Sequence, residues 1–414
     1  MFKNYLVTAY KVLLRRKFFS FVNLFGIAIT LAVLTVIVTM LQNYVKPIGA
    51  ESRSPHFLAV RNVRLTNEER TSSSTWNAGY RFLERHVLNL ETPDMIGFYS
   101  SGSEGTVFID GTKLSPTVVR TDANFWKILD YEFISGRPIQ ADDETEGRTV
   151  AVLNESMQSE IFGDQDAVGR RFTLNGRPFE VVGVVEDEPE MRMHSSGEIW
   201  VPHSSTADQN YRNEWIGGFT ALLYAEDPNR LPIIRDEFVD GLAYFEYDDP
   251  EQYQRVESTA DTKFEMLVRD FMNSRFEEDS KAGLFLLAMF GAMIAFMFLP
   301  TINLINLNIS RILERASEIG VRKAFGAPTT ALVAQFLVEN LVLSLLGGVI
   351  GFFLGVAFLN LIEASGLIAY ANFEIDLVVF GAALFMMIIF GLISGVYPAL
   401  KMARMHPVAA LRRA

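Results

Sequence analysis

The residues of this sequence that could do chemistry are few, and their spacing argues against catalysis. The five histidines are His56, His86, His194, His203 and His406. No two stand at i and i+4, and H-E-x-x-H is absent, so no helix-borne zinc site is expected. Cysteine is absent altogether. That excludes disulfides, thiolate nucleophiles and cysteine-based metal sites. The acidic runs Asp142–Glu146 and Glu186–Glu190 lack the alternating spacing and the glycine of a calcium loop and read as solvated turns. No G-x-x-x-x-G-K-[ST], G-x-S-x-G or kinase set occurs, so no nucleotide, cofactor or metal is expected on this chain, and it is not expected to be an enzyme.

Three other groupings stand out. Ser310 to Ala327 is charged and helical in pattern, with Ile312, Ala316, Ile319 and Lys323 at helical spacing. Glu318 precedes Arg322 by four residues, the favourable order for a helix pair, worth about 0.2–0.5 kcal/mol. An ordinary connector with snorkelling charges would show the same pattern. Gly347, Gly351 and Gly355 recur every four residues in one apolar stretch, and Gly391 and Gly395 in another. Small residues on one face let two helices approach closely in lipid. Glu339 is the sole acid inside a predicted span, with Gln335 one turn before it. An intramembrane acid is a functional candidate by default, but Glu339 lies only two turns in, and a reach to the interface is the preferred reading.

These groups must be positioned by membrane spans. The chain has 414 residues, 49% of them hydrophobic, with a net charge of −12. Residues 46–280 hold 23 Lys/Arg against 43 Asp/Glu, and the rest hold 14 against 6. The division is a basic membrane part and an acidic insert, and the acidity argues against nucleic-acid binding. Residues 1–17 form a basic amphipathic start, with Phe2, Leu6, Ala9 and Leu13 at helical spacing. Phe18 to Leu41 follows as 24 uncharged residues, longer than the roughly 20 that span hydrocarbon. Its length and the lack of a small-residue cleavage site predict an uncleaved span over 18–45. Further spans are predicted at 282–309, 329–362 and 377–400. The basic residues Arg311, Arg315, Arg322, Lys323, Lys401, Arg404, Arg412 and Arg413 fall on the side of the N-terminus. The short loop 363–376 carries Glu363, Glu374 and Asp376 and no base. By the positive-inside rule both termini, the connector 310–328 and the tail 401–414 are cytoplasmic.

The insert 46–260 reads as an α+β domain outside the cytoplasm. Hairpins are predicted at Val107 to Arg120, turning at Asp110-Gly111, and at Phe172 to Val185, turning at Asn175-Gly176. Helices are predicted at Trp76 to Leu90, at Glu155 to Phe162 between an Asn154 cap and a Gly163 stop, and at Arg230 to Phe245. Residues 261–281, with Phe264, Leu267, Val268, Phe271 and Met272 on one side, read as a stalk helix running unbroken into the second span.

Glu314 to Ala327 has the form E-R-x-x-E-I-G-x-R-K-A-x-G-A. It resembles the signature of the FtsX-like permeases, which include membrane subunits of MacB-type and lipoprotein-exporting ABC transporters. Gly395-Val396-Tyr397-Pro398-Ala399 and His406 to Arg412 resemble that family's ending, and Arg16-Lys17 with Leu24-Phe25-Gly26-Ile27 its beginning. Gly136-Arg137-Pro138, Val150 to Ser156 and Phe179 to Val185 resemble the MacB-type periplasmic core domain, while Asp187 to Gln254 matches no named pattern.

The resemblance implies a bacterial inner-membrane, multi-pass permease in membrane lipid. It would pair with an identical or different second permease and with a dimer of ABC ATPases that bind ATP and magnesium. Glu314, Arg315, Glu318, Ile319, Gly320, Arg322, Lys323 and Gly326 would form a coupling helix docked on the ATPase. Gly347, Gly351, Gly355, Gly391 and Gly395 would pack the spans. ATP-driven closure would move the outer domain, a mode called mechanotransmission, for export or extraction of a substrate that no residue pattern specifies. Further extracytoplasmic partners are compatible with this. The absent phosphate loop departs from MacB itself, whose ATPase is fused to the permease. An alternative is an FtsX-like regulator that signals to outside partners without transport, although the division-linked members have smaller outer domains. A membrane-anchored enzyme is disfavoured by the lack of any catalytic constellation.

Overall fold

The computed structural model describes residues 17–67, 69, 73–206, 210–245, 251, 253–314, 321, 325 and 328–403. The chain divides into two compact units. One comprises Met1–Asn43, Leu286–Leu367 and Phe373–Ala414, and the other Tyr44–Phe285 and Ile368–Asn372.

The first unit is built on four long helices: span 1, Lys17–Val45; span 2, Ala282–Glu314; span 3, Thr329–Ser365; and span 4, Leu377–Ala403. All four are long and apolar enough to cross a membrane. Their backbone groups bond within each helix, the condition for lying in hydrocarbon. Ile27, Leu31, Leu34, Met297, Leu304, Met387 and Phe390 form the buried centre of this unit. Phe18, Phe21, Leu287, Leu299 and Phe353 stay exposed, as lipid-facing side chains must. Span 2 runs on to Glu314, so the first residues assigned to the connector 310–328 continue that helix. Residues 1–16 of the amphipathic start and 404–414 of the tail lie outside the described residues.

The second unit is an α+β fold around one twisted sheet of fifteen strands. Strand Phe57–Thr66 anchors it. Along one edge it pairs antiparallel with Phe219–Tyr224 and then with Ser73–Ala78, and along the other with Arg255–Asp261. From Phe219–Tyr224 the sheet continues through Met95–Ser100, Thr117–Thr121, Ile199–Pro202, Val150–Asn154, Arg177–Val185 and Arg171–Leu174 to the small hairpin at Val107–Leu114. Two neighbour pairs are parallel, Thr117–Thr121 with Ile199–Pro202 and Val150–Asn154 with Arg177–Val185. Val150–Asn154 is buried throughout, as the near-continuous apolar run of a strand covered on both faces requires. Three apolar cores flank the sheet, centred on Phe82 and Phe238, on Phe125 and Trp200, and on Leu153 and Val184.

Both hairpin turns form where the sequence placed them. Asp110 and Gly111, and Asn175 and Gly176, all take positive φ, as a two-residue type I′ turn demands. The first hairpin closes at Leu114, and Thr117–Thr121 leaves it to pair elsewhere. Asn154 Oδ1 accepts the Met157 amide at 2.9 Å, capping Glu155–Phe162, and Gly163 ends that helix. The helix expected over Trp76 to Leu90 is shorter. Ser73–Ala78 is a strand with Trp76 opposite Val63, and only Tyr80–His86 is helical. Gly79 interrupts the helical pattern, its amide donating to Trp215 O at 2.9 Å. The Asp187 to Gln254 stretch contributes strands Ile199–Pro202, Ile216–Gly217 and Phe219–Tyr224 and the helix Leu231–Gly241.

The stalk is also corrected. Its helix covers Lys263–Met272, started by a Thr262/Glu265 capping box and ended by Asn273 at φ 52. No helix follows until Ala282, and Lys281 also has positive φ. The sequence shows no proline or glycine there, which is why an unbroken helix was expected. Asn tolerates the left-handed conformation. Arg269 Nη1 then donates to Ser274 O at 2.8 Å and to Glu277 O at 2.6 Å, satisfying carbonyls that a continued helix would have used. Val268 is fully buried, whereas Phe271 is 77% exposed.

Candidate functional site

Both glycine stripes stand at close helix approaches. A Cβ built on Gly347 would lie 2.6 Å from Ile27 Cγ2. One on Gly351 would lie 2.5 Å from Ala28 O and 2.8 Å from Leu31 Cβ, and one on Gly355 3.0 Å from Thr35 Cβ. Span 3 thus meets span 1 through three glycines in register with Ile27, Leu31 and Thr35, the two helices running parallel. In span 4, a Cβ on Gly391 would collide with Ser344, and one on Gly395 would lie 2.6 Å from Asn340 Nδ2. Span 3 therefore presents bare backbone to span 1 and inserts polar side chains against the bare backbone of span 4. Each contact exists because one partner has no side chain.

Neutral polar groups line the same bundle. Asn308 Nδ2 of span 2 donates to Asn340 Oδ1 of span 3 at 3.1 Å, and both residues are buried. Ser394 Oγ donates to Gly391 O at 2.8 Å. Asn43, at the end of span 1, donates to Glu374 O at 3.1 Å and accepts the Glu374 amide at 3.2 Å. Gln335 Nε2 reaches Glu339 Oε1 at 3.1 Å, so the two groups that shared a face in the sequence are hydrogen-bonded, with Glu339 buried. Sequence reasoning passed over Asn308, Asn340 and Asn43. The signal was an uncharged amide inside an apolar run, which carries no charge to draw attention. A cavity of about 200 Å³ with almost wholly apolar walls, among them Leu34, Val38, Met293, Phe352 and Phe380, is lined by all four spans.

Of the expected coupling residues, Glu314 closes the span 2 helix. Arg315, Glu318, Ile319, Gly320, Arg322, Lys323 and Gly326 lie outside the described residues.

The α+β unit holds buried ion pairs. Glu51 and Lys263 form an ion pair with both side chains buried. Glu51 Oε1 also accepts the amides of His194 at 2.7 Å and Ser195 at 3.0 Å. Burial pushes the Glu51 carboxyl up, but Lys263, His194 and these bonds outweigh it and hold the group below the ordinary range. Asp261 and Arg269 form a second buried pair at 2.9 Å. His194 Nδ1 lies 2.7 Å from Tyr99 Oη. Burial drives the His194 imidazole down to about 4, and burial together with Arg120 drives that of His203 down to about 3. A Glu51 carboxylate with both oxygens engaged, by Lys263 and by the His194 and Ser195 amides, is suited to holding structure.

Comparison with known proteins gives this architecture a family. Residues 20–241, more than half of the chain, match the MacB-like periplasmic core domain, and residues 289–407 match the FtsX-like permease C-terminal region. The chain is 27% identical over 321 residues to the ABC transporter permease YvrN of Bacillus subtilis, covering 75% of this chain and 73% of that one. It is 26% identical over 294 residues to the macrolide export ATP-binding/permease protein MacB of Haemophilus ducreyi, covering 70% of this chain and 39% of that protein. It therefore spans well under half the length of that MacB relative. Among solved structures, the extracellular domain of the ABC-type transporter YknZ aligns over 49% of this chain and 99% of its own at 13% identity and a TM-score of 0.36. The periplasmic region of MacB from Actinobacillus actinomycetemcomitans aligns over 42% of this chain and 76% of its own, at 17% identity and a TM-score of 0.33. With its four apolar helices and its large α+β domain outside the cytoplasm, the chain belongs to the FtsX/MacB-type family of ABC transporter permeases.

Proposed function

We propose that this chain is the permease subunit of an ABC transporter whose ATPase is a separate polypeptide, and that it converts ATP hydrolysis there into movement of its own extracytoplasmic domain. One observation carries the reading. A MacB-like periplasmic core match over residues 20–241, which takes in most of the first span, is followed by an FtsX-like permease match over 289–407, and no phosphate-binding loop stands in the 414 residues.

In this reading both termini and the 310–328 connector face the cytoplasm of a bacterial cell, and two permeases work on two ATPases. The signature from Glu314 to Gly326 docks on the ATPase. Closure of the ATPases displaces spans 2 and 3 at their cytoplasmic ends. The glycine contacts Gly347, Gly351 and Gly355 against Ile27, Leu31 and Thr35 of span 1 then carry that displacement, because side chains of one helix seat directly on the backbone of the other. The substrate is exported or extracted by the outer domain.

The test is co-purification from the native membrane. The purified chain alone should show no ATP turnover, and turnover should appear with the co-purifying ATPase. Glu318→Lys sets a like charge four residues from Arg322. An i, i+4 charge pair on a helix is worth about 0.3–0.5 kcal/mol, so the fold should persist while ATPase recovery falls. Turnover by the isolated chain, or full ATPase recovery with Glu318→Lys, would contradict the reading.

A further inference from the structure

Segment Glu186–Glu198 has no helix or strand. Loops of this kind normally run over the surface, because buried backbone needs partners. Here Arg192, His194 and Ser195 are all at least 95% buried. The partners come from an unexpected quarter. The α+β unit joins or borrows from the membrane-spanning chain at three places: the residues after span 1, the helix Lys263–Met272 before span 2, and Ile368–Asn372 of the loop between spans 3 and 4. This one segment bonds directly to the first and the third, and reaches the second through Glu51.

After span 1, the Ala50 amide donates to Glu188 Oε1 at 2.7 Å. Gly49 takes φ +58, and a Cβ there would lie 2.6 Å from the same oxygen, so only glycine fits. Glu51 accepts the His194 and Ser195 amides through one oxygen. Through its other oxygen it pairs with Lys263, so the chain leaving span 1 and the chain approaching span 2 are joined at one carboxylate. From the loop between spans 3 and 4, Ala369 O accepts the Glu190 amide at 3.0 Å, and Tyr370 Oη donates to Glu198 Oε1 at 2.9 Å. The segment's remaining bonds lead into the sheet. Asp187 accepts from the Ser156 amide and hydroxyl at 3.1 and 2.6 Å, Glu198 Oε2 from the Thr117 amide at 2.6 Å, and Ser195 O from Tyr131 Oη at 2.6 Å.

We propose that Glu186–Glu198 is the receiving element of the α+β domain. Displacement of the spans enters the domain through it, and Glu51 and Lys263 are the positioning residues that make the tie stiff. The inference rests on the coupling reading above. It replaces a single rigid stalk, which the break at Asn273 rules out. The stiffness follows from burial: separating a buried ion pair leaves an uncompensated charge, whereas an exposed hydrogen bond yields readily to water. A shift at Gly49–Glu51 or at Lys263 therefore moves the 186–198 segment with it. The bonds to Ser156, Thr117 and Tyr131 then pass the shift to the helix Glu155–Phe162, the strand Thr117–Thr121 and the loop before Phe133.

The experiment is amide hydrogen exchange on the full complex with its ATPase in lipid nanodiscs, without nucleotide and after trapping with ATP and vanadate. Amides of 186–198, His194 and Ser195 foremost, should change exchange rate by about threefold or more between the two states. Those of the hairpin 171–185 should not. The double variant Glu51→Gln/Lys263→Met removes both charges together, so the domain should remain folded, and the nucleotide-dependent change at 186–198 should shrink to less than about half. Tyr370→Phe, which deletes one part-buried neutral-donor tie, should reduce it less. If nucleotide alters other parts of the α+β unit and leaves 186–198 unchanged, or if both variants keep the full change, this inference is overturned and the coupling reading stands. If nucleotide alters no amide of the α+β unit, the coupling reading itself falls.

Discussion

In the span bundle close approaches are made at glycines such as Gly347, Gly351 and Gly355, and a buried hydrogen bond joins the neutral amides of Asn308 and Asn340. In the α+β unit the corresponding places are taken by charges, Glu51 with Lys263 and Asp261 with Arg269, set beside aromatic cores. The difference follows from the two solvents. In hydrocarbon, burying an apolar side chain against another gains nothing over lipid, so association depends on close packing and neutral hydrogen bonds. In water, apolar burial contributes roughly 25 cal/mol per Å², enough to carry a few desolvated ion pairs. The Asn308–Asn340 bond is therefore shallow in energy, and the Glu51–Lys263 pair is deep and costly to break.

The largest expected effect is at Glu51. Glu51→Ala strands the Lys263 ammonium in the interior and should cost about 3–5 kcal/mol. All four tryptophans, Trp76, Trp126, Trp200 and Trp215, lie in the α+β unit. Tryptophan fluorescence during denaturant unfolding of the whole protein therefore reads this unit alone. A midpoint unchanged from wild type would break the contrast between deep and shallow contacts.

Next in size is overpacking of the bundle. Gly351→Leu drives a side chain into Ala28 and Leu31 and should destabilise the bundle by about 1–3 kcal/mol. Helical circular dichroism of the protein in detergent would record the loss, with the tryptophan transition unmoved. If the tryptophan transition moves instead, the two units do not unfold separately.

Acid should act on the outer domain and spare the bundle. His203 has a folded-state value of about 3, below the ordinary 6.5 or so of the unfolded chain. The unfolded state thus binds the extra proton. The stability that His203 contributes is present above pH 6.5 or so and is lost as pH falls through that window toward 3, by about 1.4 kcal/mol per pH unit. His203→Phe, whose ring suits the neighbouring Tyr80 and Phe219, should flatten the tryptophan-detected stability between pH 6 and 4 by about that slope. An unchanged slope would remove His203 from the account.

The smallest effect should come from the neutral bond in the bundle. Asn308→Leu breaks one hydrogen bond between spans 2 and 3 and should cost about 0.6 kcal/mol, the average for such bonds in lipid. A cost as large as that of Glu51→Ala would erase the distinction drawn here.

Most of the membrane architecture was legible because hydrocarbon imposes one rule on sequence. A run of about 20 uncharged residues has few alternatives, and glycines four apart have one geometric use. The two hairpins were legible for the same reason, since Asn175-Gly176 and Asp110-Gly111 answer a specific demand for positive φ. The stalk was misread because its end is set by tertiary contacts. Arg269 bonds to Ser274 O and Glu277 O, and nothing in the local periodicity announces that. The strand Ser73–Ala78 was hidden in the same way, as its identity depends on pairing with Phe57–Thr66. The Glu186–Glu198 hub was invisible because its partners lie far off in sequence, at Ala50, Glu51 and Ala369. The acids of Glu186–Glu190 were read as solvated turns, yet Glu188 is hydrogen-bonded to the Ala50 amide and largely buried. Composition shows charge, but only the fold shows what the charge faces.

The central claim is that ATP hydrolysis on another chain moves this permease's outer domain. Phe271, at the end of the Lys263–Met272 helix, is highly exposed, and the chain contains no other cysteine to label. A nitroxide on Phe271→Cys, in the complex with its ATPase in lipid, would report the distance between the two permeases by pulsed electron spin resonance. The account predicts two distance distributions, one without nucleotide and a displaced one after trapping with ATP and vanadate. A single distribution in both states, in a complex that still hydrolyses ATP, would contradict it.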